Sequence, residues 1–185
     1  METIRPYEKK DCAGVRDICL RNAGNPHTEK QKAFILSTYC DYYIEKEPGN
    51  CFVAANDAGE AIGYIFCAED YRRFAKTYFA EYPARNRKHG LAKYFASRFA
   101  YGPQKKYSAD YPAHLHIDLL ADYRRKGLGS RLVDTLAEHL RKKGVPGLML
   151  TVGKGNQKGI SFYKKYGFIE LERSVGAVAM GIKIK

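Results

Sequence analysis

The sequence predicts an α/β fold of three layers, a mixed sheet with helices on both faces. Short apolar or alternating runs are interleaved with helical periodicities in the order strand, helices, hairpin, insertion, strand, helix, strand, helix, strand, strand. Residues 114–140, HLHIDLLADYRRKGLGSRLVDTLAEHL, pass directly from a strand through a basic glycine turn into an amphipathic helix. A length of 185 residues, 45% hydrophobic and 28% charged, suits one domain (1–185) with a single sizeable core.

Residues 3–7 read as a short strand. Asp11 is placed to cap a helix that turns Val15, Ile18 and Cys19 inward and ends near Gly24-Asn25-Pro26. Thr28 caps a second helix, predicted to run to about Glu45 with Phe34, Ile35, Tyr39, Tyr42 and Tyr43 partly buried, until Pro48-Gly49 stops it. Cys51–Ala55 and Ala61–Ala68 flank Asn56-Asp57-Ala58-Gly59-Glu60 as the two arms of a hairpin.

Residues 71–107 differ in composition. Arg72, Arg73, Lys76, Arg85, Arg87, Lys88, Lys93, Arg98, Lys105 and Lys106 stand against a lone Glu81, a net of +9. Aromatic residues recur there at helical spacing, broken at Pro83 and around Gly90. This predicts two helices, their aromatic stripes in the core and their basic positions solvated.

Residues 115–120 form an apolar strand, with His114, His116 and Asp118 alternating onto one face. Leu128, Leu132, Leu136 and Leu140 repeat every four residues, joined by Val133 and Ala137, and mark the buried stripe of a helix. Lys142-Lys143-Gly144 ends it with positive charge and a C-cap glycine. A buried strand at 147–152, a short helix at 156–166, a strand at 168–172 and a last antiparallel strand at 175–184 complete the order.

The formal charge of +12 favours anionic ligands or surfaces. No run of about eighteen apolar residues occurs, and METIRPYEKK lacks an apolar signal core, which points to a cytoplasmic protein with no membrane partner. Five cysteines, Cys12, Cys19, Cys40, Cys51 and Cys67, are an odd number without a C-x-x-C pair and read as reduced thiols filling core space. His114-x-His116-x-Asp118 lies on a single strand, which seldom suffices for tetrahedral zinc, so no metal is expected. The basic, aromatic-rich segment could stack bases and contact phosphates, but no nucleic-acid module motif accompanies it.

In the turn Arg124-Arg125-Lys126-Gly127-Leu128-Gly129-Ser130, two glycines permit a tight path and leave amide N–H groups unshielded at a helix start. The helix N-terminus contributes about half a positive charge, and Arg125 and Lys126 contribute full ones, so main chain alone could hold a diphosphate. A glycine pair before a helix is more often only a turn and cap.

Arg124-x-x-Gly127-x-Gly129 resembles the R/Q-x-x-G-x-G/A signature of the GNAT superfamily, the acetyl-CoA-dependent N-acetyltransferases. Asn156-x-x-Gly159-x-x-Phe162-Tyr163-x-x-x-Gly167-Phe168 is similar to that family's N-x-x-A-x-x-L/F-Y-x-x-x-G-F pattern, with Gly159 where alanine is usual. YPAHLHIDLL, DYRRKGLG and SFYKKYGF are also similar to the acetyltransferase-like domain attached to O-GlcNAcase and its free-standing bacterial relatives.

The resemblance implies a GNAT fold with a mostly antiparallel sheet, and a helical insertion (about 71–107) between the third and fourth strands that shapes the acceptor site. It assigns the Leu119 main chain to the acetyl and pantetheine groups of acetyl-CoA and the amides of Arg125, Lys126, Gly127, Leu128, Gly129 and Ser130 to the pyrophosphate. Asn156 goes to the pantetheine arm. Tyr163 falls at the general-acid position, where a phenol of reference pKa about 10 stays protonated at neutral pH. Many members carry a glutamate where this chain has Thr151; Asp118 is the nearest replacement as base, set against a carboxylate merely satisfied by main chain or a neighbouring helix, and His116 is a second candidate.

The implied activity moves the acetyl group of acetyl-CoA to a primary amine by direct attack in a ternary complex. The alternative, suggested by Thr151, is a non-catalytic acetyl-CoA-binding module. The expected partners are acetyl-CoA and a small-molecule or peptide amine, in a monomer or homodimer, rather than nucleic acid.

Overall fold

The computed structural model describes residues 2–87 and 90–185, so Lys88 of the basic segment lies outside the described residues. The strands are β1 (Thr3–Pro6), β2 (Cys51–Ala55), β3 (Ala61–Ala68), β4 (Ala113–Leu119), β5 (Gly147–Gly153), β6 (Ile169–Arg173) and β7 (Ala177–Lys183). They form a sheet ordered β1-β2-β3-β4-β5-β7-β6. Every neighbouring pair is antiparallel except β4 and β5, which run parallel. The predicted hairpin and antiparallel last strand are present, and the parallel β4–β5 pair makes the sheet mixed, as the sequence predicts.

Both faces of the sheet are covered, which is why β2 and β3 read as nearly continuous apolar runs. Along β3, Ile65 and Cys67 face one core while Tyr64, Phe66 and Ala68 face the other. The first core is roofed by α7 (Leu128–Lys142) and α8 (Gln157–Tyr166). Leu128, Leu132, Val133, Leu136 and Leu140 are all buried there, each contributing about 1.5–3 kcal/mol by removal from water. The second core lies under α1 (Cys12–Asn22), α2 (Glu29–Tyr39), α3 (Asp41–Lys46) and α4 (Tyr71–Arg87).

The long second helix is divided. Cys40, at φ −129° and ψ −60°, leaves helical geometry and separates α2 from α3. The bend lets Tyr42, Tyr43 and Ile44 enter the core while Tyr39 stays at its rim, 38% exposed. Among the described residues the insertion holds three helices, not two: α4, α5 (Leu91–Phe99) and α6 (Gly102–Tyr107). Pro83 does not end α4, because the helix is pinned around it by buried Tyr78, Tyr82 and Asn86.

The aromatic stripe is core for Tyr71, Phe74, Tyr78, Tyr82 and Tyr101, but Phe95 and Phe99 on α5 are exposed. Asp11 does not cap α1 through its side chain. Its carboxylate instead accepts two 2.7 Å hydrogen bonds from Arg5 and one of 2.9 Å from the Glu8 N–H, and its backbone, at φ −79° and ψ −10°, is already helical rather than in cap geometry.

Candidate active site

β4 and β5 pair only at Ala113↔Leu148 and His114↔Met149, then part, so residues 115–119 face a gap in the sheet. Peptide groups alternate sides along a strand. Leu120 N–H donates to Ile62 O on the β3 side, so the Leu119 N–H and C=O turn to the gap. The carbonyl is already engaged, accepting from Arg124 Nε at 3.0 Å and Asn22 Nδ2 at 3.3 Å. The N–H alone remains for a ligand, a narrower role than the sequence assigned to the Leu119 main chain. Asn22 came unannounced, because it lies 97 residues from Leu119, at the end of α1.

Beyond β4 the chain turns through residues 121–127 into α7. Arg125 takes φ +62° and Gly127 φ +81°, both left-handed, a pattern that curls successive N–H groups into a concave nest. Nothing crowds a Cβ at Gly127, so glycine is required there by conformation. At Gly129 the requirement is space, since a Cβ would stand 3.3 Å from Phe162 of α8.

Among the described residues, no N–H from 125 to 130 donates to backbone or side chain, as expected for a turn and the first residues of a helix. Arg125 and Lys126 are exposed beside them, Lys126 also lying 5.3 Å from the centre of the Tyr123 ring. Arg124, by contrast, points back to Asn22 and Leu119 and ties the turn to α1.

Three polar side chains converge on the α1–α4 face of the sheet. Tyr64 of β3 pairs in register with Asp118 of β4, and its hydroxyl donates to Asp118 Oδ2 at 2.8 Å while lying 3.1 Å from His116 Nδ1. Tyr39 stacks on the His116 ring, centroids 5.4 Å apart and planes 20° from parallel. Burial raises the Asp118 pKa, opposed by His116, Tyr64 and Arg124. Burial lowers that of His116, opposed by Asp118.

Tyr163 of α8 is half-buried against Phe162 and Phe168, and burial together with the Asp118 charge pushes its pKa up. His114 shares the strand face but not the cluster: it sits fully buried among Tyr43, Phe74 and Tyr101, with both ring nitrogens unpartnered among the described residues. Among the described residues, no group of three or more His, Cys, Asp or Glu side chains is arranged to hold a metal.

Thr151 on β5 accepts a 3.1 Å hydrogen bond from Gln104 of α6. The insertion therefore reaches the position where a carboxylate is common. Asn156 is the N-cap of α8, accepting from the Gly159 N–H at 2.9 Å, which leaves its Nδ2 as the group able to reach a ligand. Tyr39, Tyr64, Asn22 and Gln104 were not foreseen from the sequence. No local signal placed Tyr64 opposite Asp118, because the hairpin sets only the β2–β3 register and the insertion separates β3 from β4. A cavity of about 660 Å³ lies to one side, between the end of α1 and the 121–124 turn. It is lined by both acids and bases, Asp17, Asp122, Arg21 and Arg124.

The model of the Acetyltransferase (GNAT) family matches residues 15–168. The ribosomal protein bS18-alanine N-acetyltransferase of Escherichia coli K12 is 43% identical over 49 residues, a stretch covering 26% of this chain and 33% of that protein. Among solved structures, SsHAT superposes with a TM-score of 0.88 at 28% identity, covering 100% of this chain and 98% of that one. The PaiA N-acetyltransferase of Thermoplasma acidophilum, solved with coenzyme A, gives a TM-score of 0.62 at 18% identity over 99% of each chain, a likeness of fold.

Proposed function

From the premise that the chain belongs to the GNAT family of acetyltransferases, we propose that it is a single-domain enzyme that transfers the acetyl group of acetyl-CoA to a primary amine by direct attack in a ternary complex. The observation that carries this reading is a gap between β4 and β5 opening beside unpaired N–H groups at the start of α7. Acetyl-CoA, when bound, supplies the activated acyl group and a thiolate leaving group.

The amides of residues 125–130, with Arg125 and Lys126, hold the pyrophosphate through main-chain donors and the helix dipole. Leu119 N–H and Asn156 Nδ2 line the pantetheine path. Tyr163 donates the proton that the departing sulfur needs, and burial keeps its phenol protonated across the neutral range. The group that takes the amine proton belongs to the Tyr64–His116–Asp118 cluster. The N–C bond forms as the C–S bond breaks, and bulk water then resets both side chains.

Calorimetry with acetyl-CoA tests the first half of the reading, and thiol release across a panel of amines and peptides the second. Binding without any amine-dependent release would leave an acetyl-CoA-binding module and remove the catalytic assignment. Absence of binding would remove both.

A further inference from the structure

We propose that Tyr64 is a positioning residue that fixes His116 in its Nδ1–H tautomer, so that His116 Nε2, rather than the Asp118 carboxylate, takes the proton of the acceptor amine. The assignment rests on the acetyltransferase reading above and names the base within it.

The Tyr64 hydroxyl has one proton and two neighbours that could use it, Asp118 Oδ2 at 2.8 Å and His116 Nδ1 at 3.1 Å. A hydrogen bond to a carboxylate is charge-assisted and the stronger of the two, so the proton goes to Asp118. The hydroxyl oxygen is then an acceptor toward His116. The remaining contact forms a hydrogen bond only if Nδ1 carries the hydrogen. Asp118 Oδ2 lies 3.9 Å from Nδ1, too far to orient the imidazole directly, and acts through the phenol.

The plane of the ring is held by its neighbours. Tyr39 stacks on it, and β3–β4 pairing sets its backbone opposite Phe66. With Nδ1 protonated, Nε2 keeps its lone pair. It has no hydrogen-bond partner among the described residues, and the His116 side chain is 28% exposed. When Nε2 takes the amine proton, the new positive charge is balanced by Asp118 through the intervening hydroxyl. One Asp118 oxygen is already taken by the Tyr64 hydroxyl, whereas Nε2 stands free for the amine.

The test is the pair of imidazole ¹⁵N resonances of His116 at neutral pH, recorded for the full chain without acetyl-CoA and for Tyr64→Phe. The wild-type protein should show a pyrrole-type Nδ1 bearing hydrogen and a pyridine-type Nε2. In Tyr64→Phe the Nε2 signal should shift toward the hydrogen-bearing position, because no acceptor remains for Nδ1–H. The Tyr64 ring stacks on Phe66 at 3.9 Å, and phenylalanine retains that packing.

A wild-type His116 with hydrogen on Nε2 would overturn the proposal without any variant being made. A tautomer unchanged by Tyr64→Phe would overturn the role of Tyr64. Either result leaves acetyl-CoA binding untouched, so this failure is distinguishable from failure of the acetyltransferase reading.

Discussion

Tyr163 is half-buried beside Phe162 and Phe168 and His114 fully buried among aromatic rings, and burial favours the neutral form of each. For Tyr163 that form is the proton donor, held there by burial and by the Asp118 charge. Tyr163→Phe should lower amine-dependent thiol release by about 10²–10⁴-fold. Calorimetry should find acetyl-CoA affinity little changed, since the ring is kept. A variant with full turnover would remove Tyr163 from the chemistry.

For His114, burial pushes the pKa down to about 3. The unfolded chain binds a proton there below about pH 6.5 while the folded chain does not. This histidine therefore contributes a loss of stability on acidification of up to about 1.4 kcal/mol per pH unit between those two values, and none at higher pH. Urea denaturation of His114→Phe across that range should show a shallower acid decline than the wild type.

At the scale of elements, the start of α7 carries two different demands for glycine. Gly127 needs the left-handed conformation, and Gly127→Ala should cost about 1–2 kcal/mol in urea denaturation and weaken acetyl-CoA binding with it. Gly129 needs room beside Phe162. Gly129→Leu should push α8 from α7 and abolish acetyl-CoA binding measured by calorimetry, whereas a variant that binds normally would place the ligand elsewhere. The break at Cys40 is equally consequential, because it sends Tyr42 and Tyr43 into the core and leaves Tyr39 over His116.

The sheet runs from edge strand β1 to edge strand β6 and parts in the middle, where β4 and β5 separate beyond their two paired positions. A ligand that binds this gap in the folded chain alone stabilises it by mass action, by about 2.7 kcal/mol at a hundredfold excess over Kd. Thermal unfolding should therefore rise by several degrees with acetyl-CoA, and less so in high salt, which screens phosphate contacts. A melting temperature indifferent to acetyl-CoA would argue against binding. The +9 of the insertion is not all free field: Arg73 pairs with Glu47 and Glu69, Arg85 with Glu45, and Lys106 with Glu172. Its charge therefore serves partly to bind the insertion to the rest of the fold.

What the amino-acid sequence determined by itself is local: the hairpin, the leucine stripe of α7, the Thr28 cap, and the glycine turn and 156–168 motif that together carry the family resemblance. Periodicity, capping and left-handed glycine all act within a few residues, so they can be read before folding. Helix continuity was less legible, at Cys40 and Pro83, because core packing overrode the local signals there. Only the tertiary structure decided that Asn22 closes off the Leu119 carbonyl, that Gln104 holds Thr151, and that Tyr64 stands between His116 and Asp118. Each of these joins residues 47 to 97 positions apart. Their meeting depends on strand register and layer packing, and those are settled by the burial of two cores at once.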